Sequence, residues 1–210
     1  MRLGIALTML MGLMFVTACN DPAADQPRAT TGAATQASPQ QNEAGAKYVI
    51  TAPSSKIEFI GSKVTGSHNG AFEKFSGEIN YAGAPERSRV NITIDTDSIT
   101  TDDANLTKHL KTADFFDVAK FPQATFASTE IKAGGTGGAS HTITGNLTMH
   151  GVTKSVTFPA TINVTPDVAN VDANFSINRK DFGINYAGAQ DNLIRDDVVL
   201  KLTIRAAKAS

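Results

Sequence analysis

Four histidines, one cysteine and a group of aspartates are the side chains that could do chemistry in this 210-residue chain. The histidines are His68, His109, His141 and His150. His141 and His150 are nine positions apart, and on a strand an odd spacing puts them on opposite faces. No pair has the spacing of a helical zinc motif, and a single cysteine removes CxxC-type zinc or redox sites and any disulfide framework. Asp95, Asp97, Asp102 and Asp103 gather ahead of a helical segment without the glycine and distant glutamate of a calcium loop. Capping and solubility account for them, and packing or capping accounts for His109. No GxSxG elbow, Walker loop or SxxK motif occurs. The expectation is a protein without catalytic residues, metal or cofactor.

The cysteine has a different chemistry. Met1-Arg2 is followed by 14 mostly apolar residues at 3–16, too few for the roughly 20 that span a bilayer, but enough for the core of an export signal. Val16-Thr17-Ala18-Cys19 resembles a bacterial lipobox, in which the cysteine is acylated and becomes the new N-terminus. Cleavage by an ordinary signal peptidase after Ala18 is the rival reading; the position of the chain's only cysteine favours lipidation. Several acyl chains make a stable anchor where one holds only marginally. The expected organisation is a lipoprotein signal peptide at 1–18, a lipidated Cys19 with a flexible linker to 46, and a folded domain at 47–210. The expected location is the bacterial periplasm, anchored to the inner or outer membrane.

Composition supports that division. Residues 20–46 contain no Val, Ile, Leu, Met, Phe, Tyr or Trp, so nothing there offsets the entropy of ordering. From Lys47 the hydrophobic period is two. Val90, Ile92 and Ile94 alternate with polar residues; so do Ile143, Leu147 and Met149, then Val156 through Val164, then Val198 through Ile204. Glycine, proline and aspartate clusters separate these runs. One segment departs: Thr101 or Asp102 caps a helix carrying Leu106, Leu110 and Ala113, and Phe121-Pro122 ends the excursion. About eight strands of this kind pack as a closed barrel or a sandwich. The outward faces are Thr, Asn, Lys and Arg, and no Trp and three Tyr make no aromatic girdle, which excludes a membrane barrel. A net charge of −1 excludes an electrostatic nucleic-acid binder.

An eight-stranded barrel is either filled by its side chains or holds one small ligand. The inward faces offer Phe59, Phe75, Tyr81, Ile92, Ile94, Phe126, Leu147, Met149, Phe158, Phe175, Ile177, Leu200 and Leu202. Two cations disturb a solid apolar interior. Lys63 shares parity with Ile57 and Phe59 unless Gly61 marks a bulge. Arg179 and Asp181 share parity with Phe175 and Ile177, whereas Phe182, Ile184 and Tyr186 take the other face. Either Lys63 and Arg179 form a polar end where a lipid headgroup sits, or Arg179 and Asp181 close a barrel corner.

Four segments in order carry a family resemblance: SKIEFIGSKVTGSHNGAFEKFSG (55–77), HLKTADFFDVAKFPQATF (109–126), GNLTMHGVTKSVTF (145–158) and NRKDFGINY (178–186). Together they resemble the YceI-like family over essentially the whole domain. The resemblance implies an all-β fold, an extended eight-stranded antiparallel lipocalin-like barrel with one short helical excursion and a long hydrophobic pore. It also implies secretion and binding of a polyisoprenoid or similar long-chain amphiphile, without enzyme activity. The sequence lacks the tryptophan often present near the first strand of that family, with Tyr48 in its place. The expected function is sequestration or carriage of such a lipid by a membrane-tethered binding protein. The alternative is a stress-protective or interaction lipoprotein with a filled core acting through its outer surface. Exposed barrel edges also make a homodimer an expected assembly.

Overall fold

The computed structural model describes residues 21–36, 45–190 and 192–209. The strands are β1 (Thr30–Gly32), β2 (Ala46–Thr51), β3 (Lys56–Lys63), β4 (Gly66–Phe72), β5 (Phe75–Tyr81), β6 (Arg89–Asp95) and β7 (Ile99–Thr101). After helix α1 (Ala104–Leu110) follow β8 (Gln123–Ala133), β9 (His141–Met149), β10 (Val152–Val164), β11 (Val168–Asn178), β12 (Gly188–Ala189), β13 (Asn192–Leu193) and β14 (Asp197–Lys208). The period-two runs become strands because one face of each buries against the interior while the threonines and asparagines of the other face water.

Eight strands close a ring in the order β10-β9-β8-β6-β5-β2-β14-β11, with β11 returning to β10, all antiparallel. β14 is long enough to serve two neighbours in succession. Its C-terminal end pairs with β2 at Ala207 and Lys208, and its middle pairs with β3 from Val199 to Thr203. The chain turns between β2 and β3, where the Ser55 hydroxyl accepts a hydrogen bond from the Arg205 N–H (3.0 Å). β4 and β7 then extend the wall beyond β3. Helix α1 starts one or two residues later than the sequence suggested. Asp103 is its cap, accepting from the N–H groups of Asn105 (2.7 Å) and Leu106 (2.9 Å), and Ala113 lies beyond its end.

The seam of the ring corrects the expected flexible linker. β10 and β11 pair only from Thr161–Asp172 to Val164–Ala169, then diverge. Residues 27–32 lie in the gap. The Ala29 N–H donates to the Ser176 carbonyl (2.8 Å), the Ser176 N–H donates to the Pro27 carbonyl (2.9 Å), and Thr30 to Gly32 pair with Thr157 to Ser155. The small Ala29 side chain is buried among Val156, Phe175 and their neighbours. Polar composition gave no warning of this, because two diverging strand edges supply backbone partners that need no apolar side chains. The rest of the expected linker that is described, through Gln36, also stays on the barrel, where the Thr35 N–H donates to the Asn146 side chain (2.9 Å). Residues 37–44, Cys19 and the expected signal peptide lie outside the described residues.

Candidate ligand-binding site

The barrel is not filled from end to end. It encloses an elongated cavity of about 210 Å³ with an almost wholly apolar lining. An apolar cavity of roughly 150 Å³ is already large enough to stay dry and accept an apolar guest. The wall contains Phe59, Ile92, Ile94, Phe126, Leu147, Met149, Phe158, Phe175, Ile177, Leu200 and Leu202, eleven of the thirteen apolar residues expected to face inward. Phe158 stacks on Phe175 with centroids 4.2 Å apart and planes 10° apart, and Phe126 leans on Phe158 at 5.8 Å. Phe126 also lies across Gly145, where a Cβ would come within 2.3 Å of the ring, so the glycine leaves room for the aromatic wall.

Two expected wall residues lie elsewhere. Phe75 belongs to the packed core but not to the cavity, and Tyr81 lies beyond the floor with its ring edge-on to Tyr48 (6.2 Å). The floor is formed by Ile79, Val90 and Ile204. Two residues further along the same strand faces, Tyr81 and Ala206 no longer touch the space, because Tyr48, Ile50 and Ala169 pack the barrel shut there. Tyr48 is buried and donates its hydroxyl to the Thr165 carbonyl (2.8 Å).

The opposite end is polar. β3 runs without a bulge through Gly61, with Gly61 opposite His68 and Lys63 opposite Gly66, so Lys63 keeps its inward parity and reaches the lining. No ion pair holds Lys63 among the described residues. Arg179 also lines the cavity but is 4% exposed and heavily engaged. Its guanidinium donates to the carbonyls of Arg195 (3.1 Å), Ile184 (2.7 Å) and Ile194 (3.4 Å), and to Asp196 Oδ1 (3.3 Å). Burial draws the pKa of Arg179 below its ordinary value, and Asp196 opposes that shift. Arg179 therefore closes the corner, leaving Lys63 as the freer of the two cations.

The parity conflict at Arg179 is resolved by a 3₁₀ turn over Arg179–Phe182, ending at Gly183 with φ 76°. The turn sends Asp181 outward, where it accepts from the Thr31 hydroxyl (2.6 Å), so an Arg179–Asp181 pair is not formed. Parity reasoning missed His68 and Arg195 at the polar end, and Leu106, Leu110, Phe115 and Phe116, which reach the cavity from α1 and the loop after it. The helical spacing of Leu106 and Leu110 predicted a buried face but not the space it faces. At the same rim, Asp102 accepts from the Asn69 N–H (2.9 Å) and lies 2.7 Å from His68 Nδ1. These contacts, the backbone one first, hold the Asp102 pKa below its usual value.

The histidines stay apart. His109 contacts Asp114 (2.8 Å) and stands edge-on to Phe115, His141 contacts Ser140, and His150 packs on Phe121. Among the described residues, no three His, Cys, Asp or Glu side chains gather as a metal site would require. The geometry is that of a container: a dry apolar channel, a closed floor and one polar end.

This closed antiparallel barrel, with an internal apolar cavity, is of the lipocalin-like class. The YceI-like domain profile matches residues 48–206, and the chain belongs to that family. A UPF0312 protein of Pseudomonas putida (strain F1) is 39% identical over 137 residues, spanning 62% of this chain and 70% of that protein. A UPF0312 protein of Enterobacter sp. (strain 638) is 44% identical over 122 residues, spanning 55% of this chain and 62% of that one. Among solved structures, Burkholderia cenocepacia BcnA aligns with TM-score 0.64 and 26% identity over 75% of this chain and 99% of its own. A polyisoprenoid binding domain from Saccharophagus degradans, implicated in plant cell wall breakdown, aligns with TM-score 0.62 over 78% of this chain and 99% of its own. At 18% identity, that second likeness is one of fold.

Proposed function

We propose that this protein is an exported binding protein that holds a polyisoprenoid or similar long-chain amphiphile in its barrel and does no chemistry on it. The observation carrying the reading is the apolar cavity of about 210 Å³, closed at Ile79, Val90 and Ile204 and ending at Lys63. The fold neighbour described as a polyisoprenoid binding domain supports the choice of ligand class. Each methylene taken from water contributes about 0.8 kcal/mol, so ten carbons supply roughly 8 kcal/mol before ordering costs. Few polar contacts are then needed, and discrimination rests on length and shape. Lys63 receives an anionic or polar head. Cys19 carries the acyl anchor and places the protein at a bacterial membrane on its periplasmic side.

Organic extraction of the purified protein followed by mass spectrometry tests the ligand. A co-purifying long-chain amphiphile, or tight binding of added prenyl lipids, is expected. An empty extract together with no binding of prenyl lipids would overturn the reading in favour of a protein acting through its outer surface. The intact mass of the membrane-extracted protein tests the anchor separately, with acylated Cys19 as the expected N-terminus.

A further inference from the structure

The polar end of the barrel carries apolar side chains that do not line the cavity, beside the Lys63 that does. Four large hydrophobic side chains are exposed among the described residues, and three of them, Val64 (51%), Leu193 (50%) and Tyr186 (38%), stand at this end. They lie on adjoining segments. The Val64 N–H donates to the Leu193 carbonyl (3.1 Å), Lys63 bridges to Ile194, and the Ile194 N–H donates to the carbonyl of Ala187, next to Tyr186 (3.0 Å). Lys63, without an ion pair among the described residues, stands beside Val64. Apolar tips next to a cation match the boundary between acyl chains and headgroups, where aliphatic and tyrosine side chains enter and lysine meets phosphate.

The path of the chain supplies the occupant. Asp21 Oδ2 ion-pairs with Arg195 Nη1 (3.0 Å), and Arg195, which lines the cavity, donates its N–H to the Ser62 carbonyl (2.8 Å). Cys19 precedes Asp21 by two residues, which reach at most about 7 Å. Residues 27–32, sewn into the seam, take up the slack that a free linker would have supplied. We infer that the rim formed by Val64, Tyr186 and Leu193 docks on the surface of the phospholipid bilayer that holds the Cys19 anchor, with the cavity opening toward the lipid. A ligand then passes between bilayer and barrel without crossing water. The inference rests on the lipoprotein reading, whose own test is the intact mass.

The experiment uses full-length lipidated protein in vesicles of phosphatidylethanolamine and phosphatidylglycerol. Acylation occupies Cys19, so V64C, L193C and D167C each present one free thiol for an environment-sensitive fluorophore; Asp167 is exposed in the β10–β11 turn at the far end. Intact mass is recorded first, so an unacylated chain counts against the anchor and not against the docking face. In acylated protein, labels at 64 and 193 are expected to shift to the blue and to be quenched by lipids carrying a quencher near the headgroup, whereas the label at 167 stays aqueous. Equal aqueous signals at all three positions overturn the inference. So does burial of the 64 and 193 labels in detergent-free buffer without vesicles, which would place a second copy on the rim. A V64D/L193D double variant should slow prenyl-lipid transfer to vesicles about tenfold or more, since burying either side chain is worth at least that factor. Its affinity for the same lipid in solution should be unchanged, because neither residue lines the cavity. Unchanged transfer in that variant also overturns the inference.

Discussion

Shortening the floor residue Ile79 changes the length of the cavity without touching its polar end. Ile79→Ala removes three carbons at the level where the lining stops and Tyr48 and Tyr81 begin. The stability cost of such a truncation is about 2–5 kcal/mol, lowering the melting temperature of a domain this size by roughly 4–20 °C. That is tolerable against the usual total of about 5–15 kcal/mol, and Ile79→Val, at about 0.5–1.5 kcal/mol, provides a milder version. The affinity effect has the opposite sign for longer ligands. A chain extended by two methylenes gains about 1.6 kcal/mol if both enter the new space, a little more than tenfold in Kd. The assay is displacement of an environment-sensitive probe by a homologous series of straight-chain carboxylates. With no tryptophan in the sequence, no indole emission overlaps that of the probe. The wild type should show an optimum length, and Ile79→Ala should move it upward by one to three carbons. An unmoved optimum in a variant that still melts cooperatively would falsify the assignment of this cavity as the seat of the chain.

Three further outcomes follow from individual contacts. Arg179→Met should destabilise the fold by about 3–5 kcal/mol, because buried carbonyl acceptors lose their donor, and Arg179→Lys should recover little since an ammonium lacks the planar fork; urea titration measures both. Asp102, held below its usual pKa in the folded state, contributes stability above its unfolded value that is lost as pH falls below about 4 through the folded value. Asp102→Asn should flatten the acid limb of a plot of stability against pH, and an unaltered limb would remove this rim contact from the account. Ala29→Asp should expel residues 27–32 from the seam by placing a carboxylate in an apolar cluster. Hydrogen exchange should then accelerate at the Ser176 amide by about tenfold or more while amides in the Thr161–Val164 pairing stay protected.

The alternation of Val90, Ile92 and Ile94, and of Val156 through Val164, was enough to set strand identity and inward face, since side-chain direction in a strand repeats every two residues. Eleven of the apolar side chains named from the sequence line the cavity, and Lys63 reaches it because β3 runs on without the bulge that Gly61 could have marked. Parity failed where the chain leaves that geometry. At Arg179 a 3₁₀ turn resets the phase, and the turn is stabilised by the nearby Ile184 carbonyl and by the more distant carbonyls of Ile194 and Arg195, which the folded chain brings to it. At Phe75 and Tyr81 the parity was informative about burial but silent on how far along the axis the empty space extends.

Local patterning by itself therefore determined the strands and their apolar faces, and the resemblance carried by four ordered segments pointed to a barrel rather than a sandwich. Whether the interior leaves a channel, where that channel stops, and that a polar stretch near the N-terminus becomes part of the wall were decided by tertiary structure. The physical reason is that these properties are relations between strands: the height at which Tyr48 meets Ile79, and the divergence of β10 from β11 that opens a pair of backbone edges.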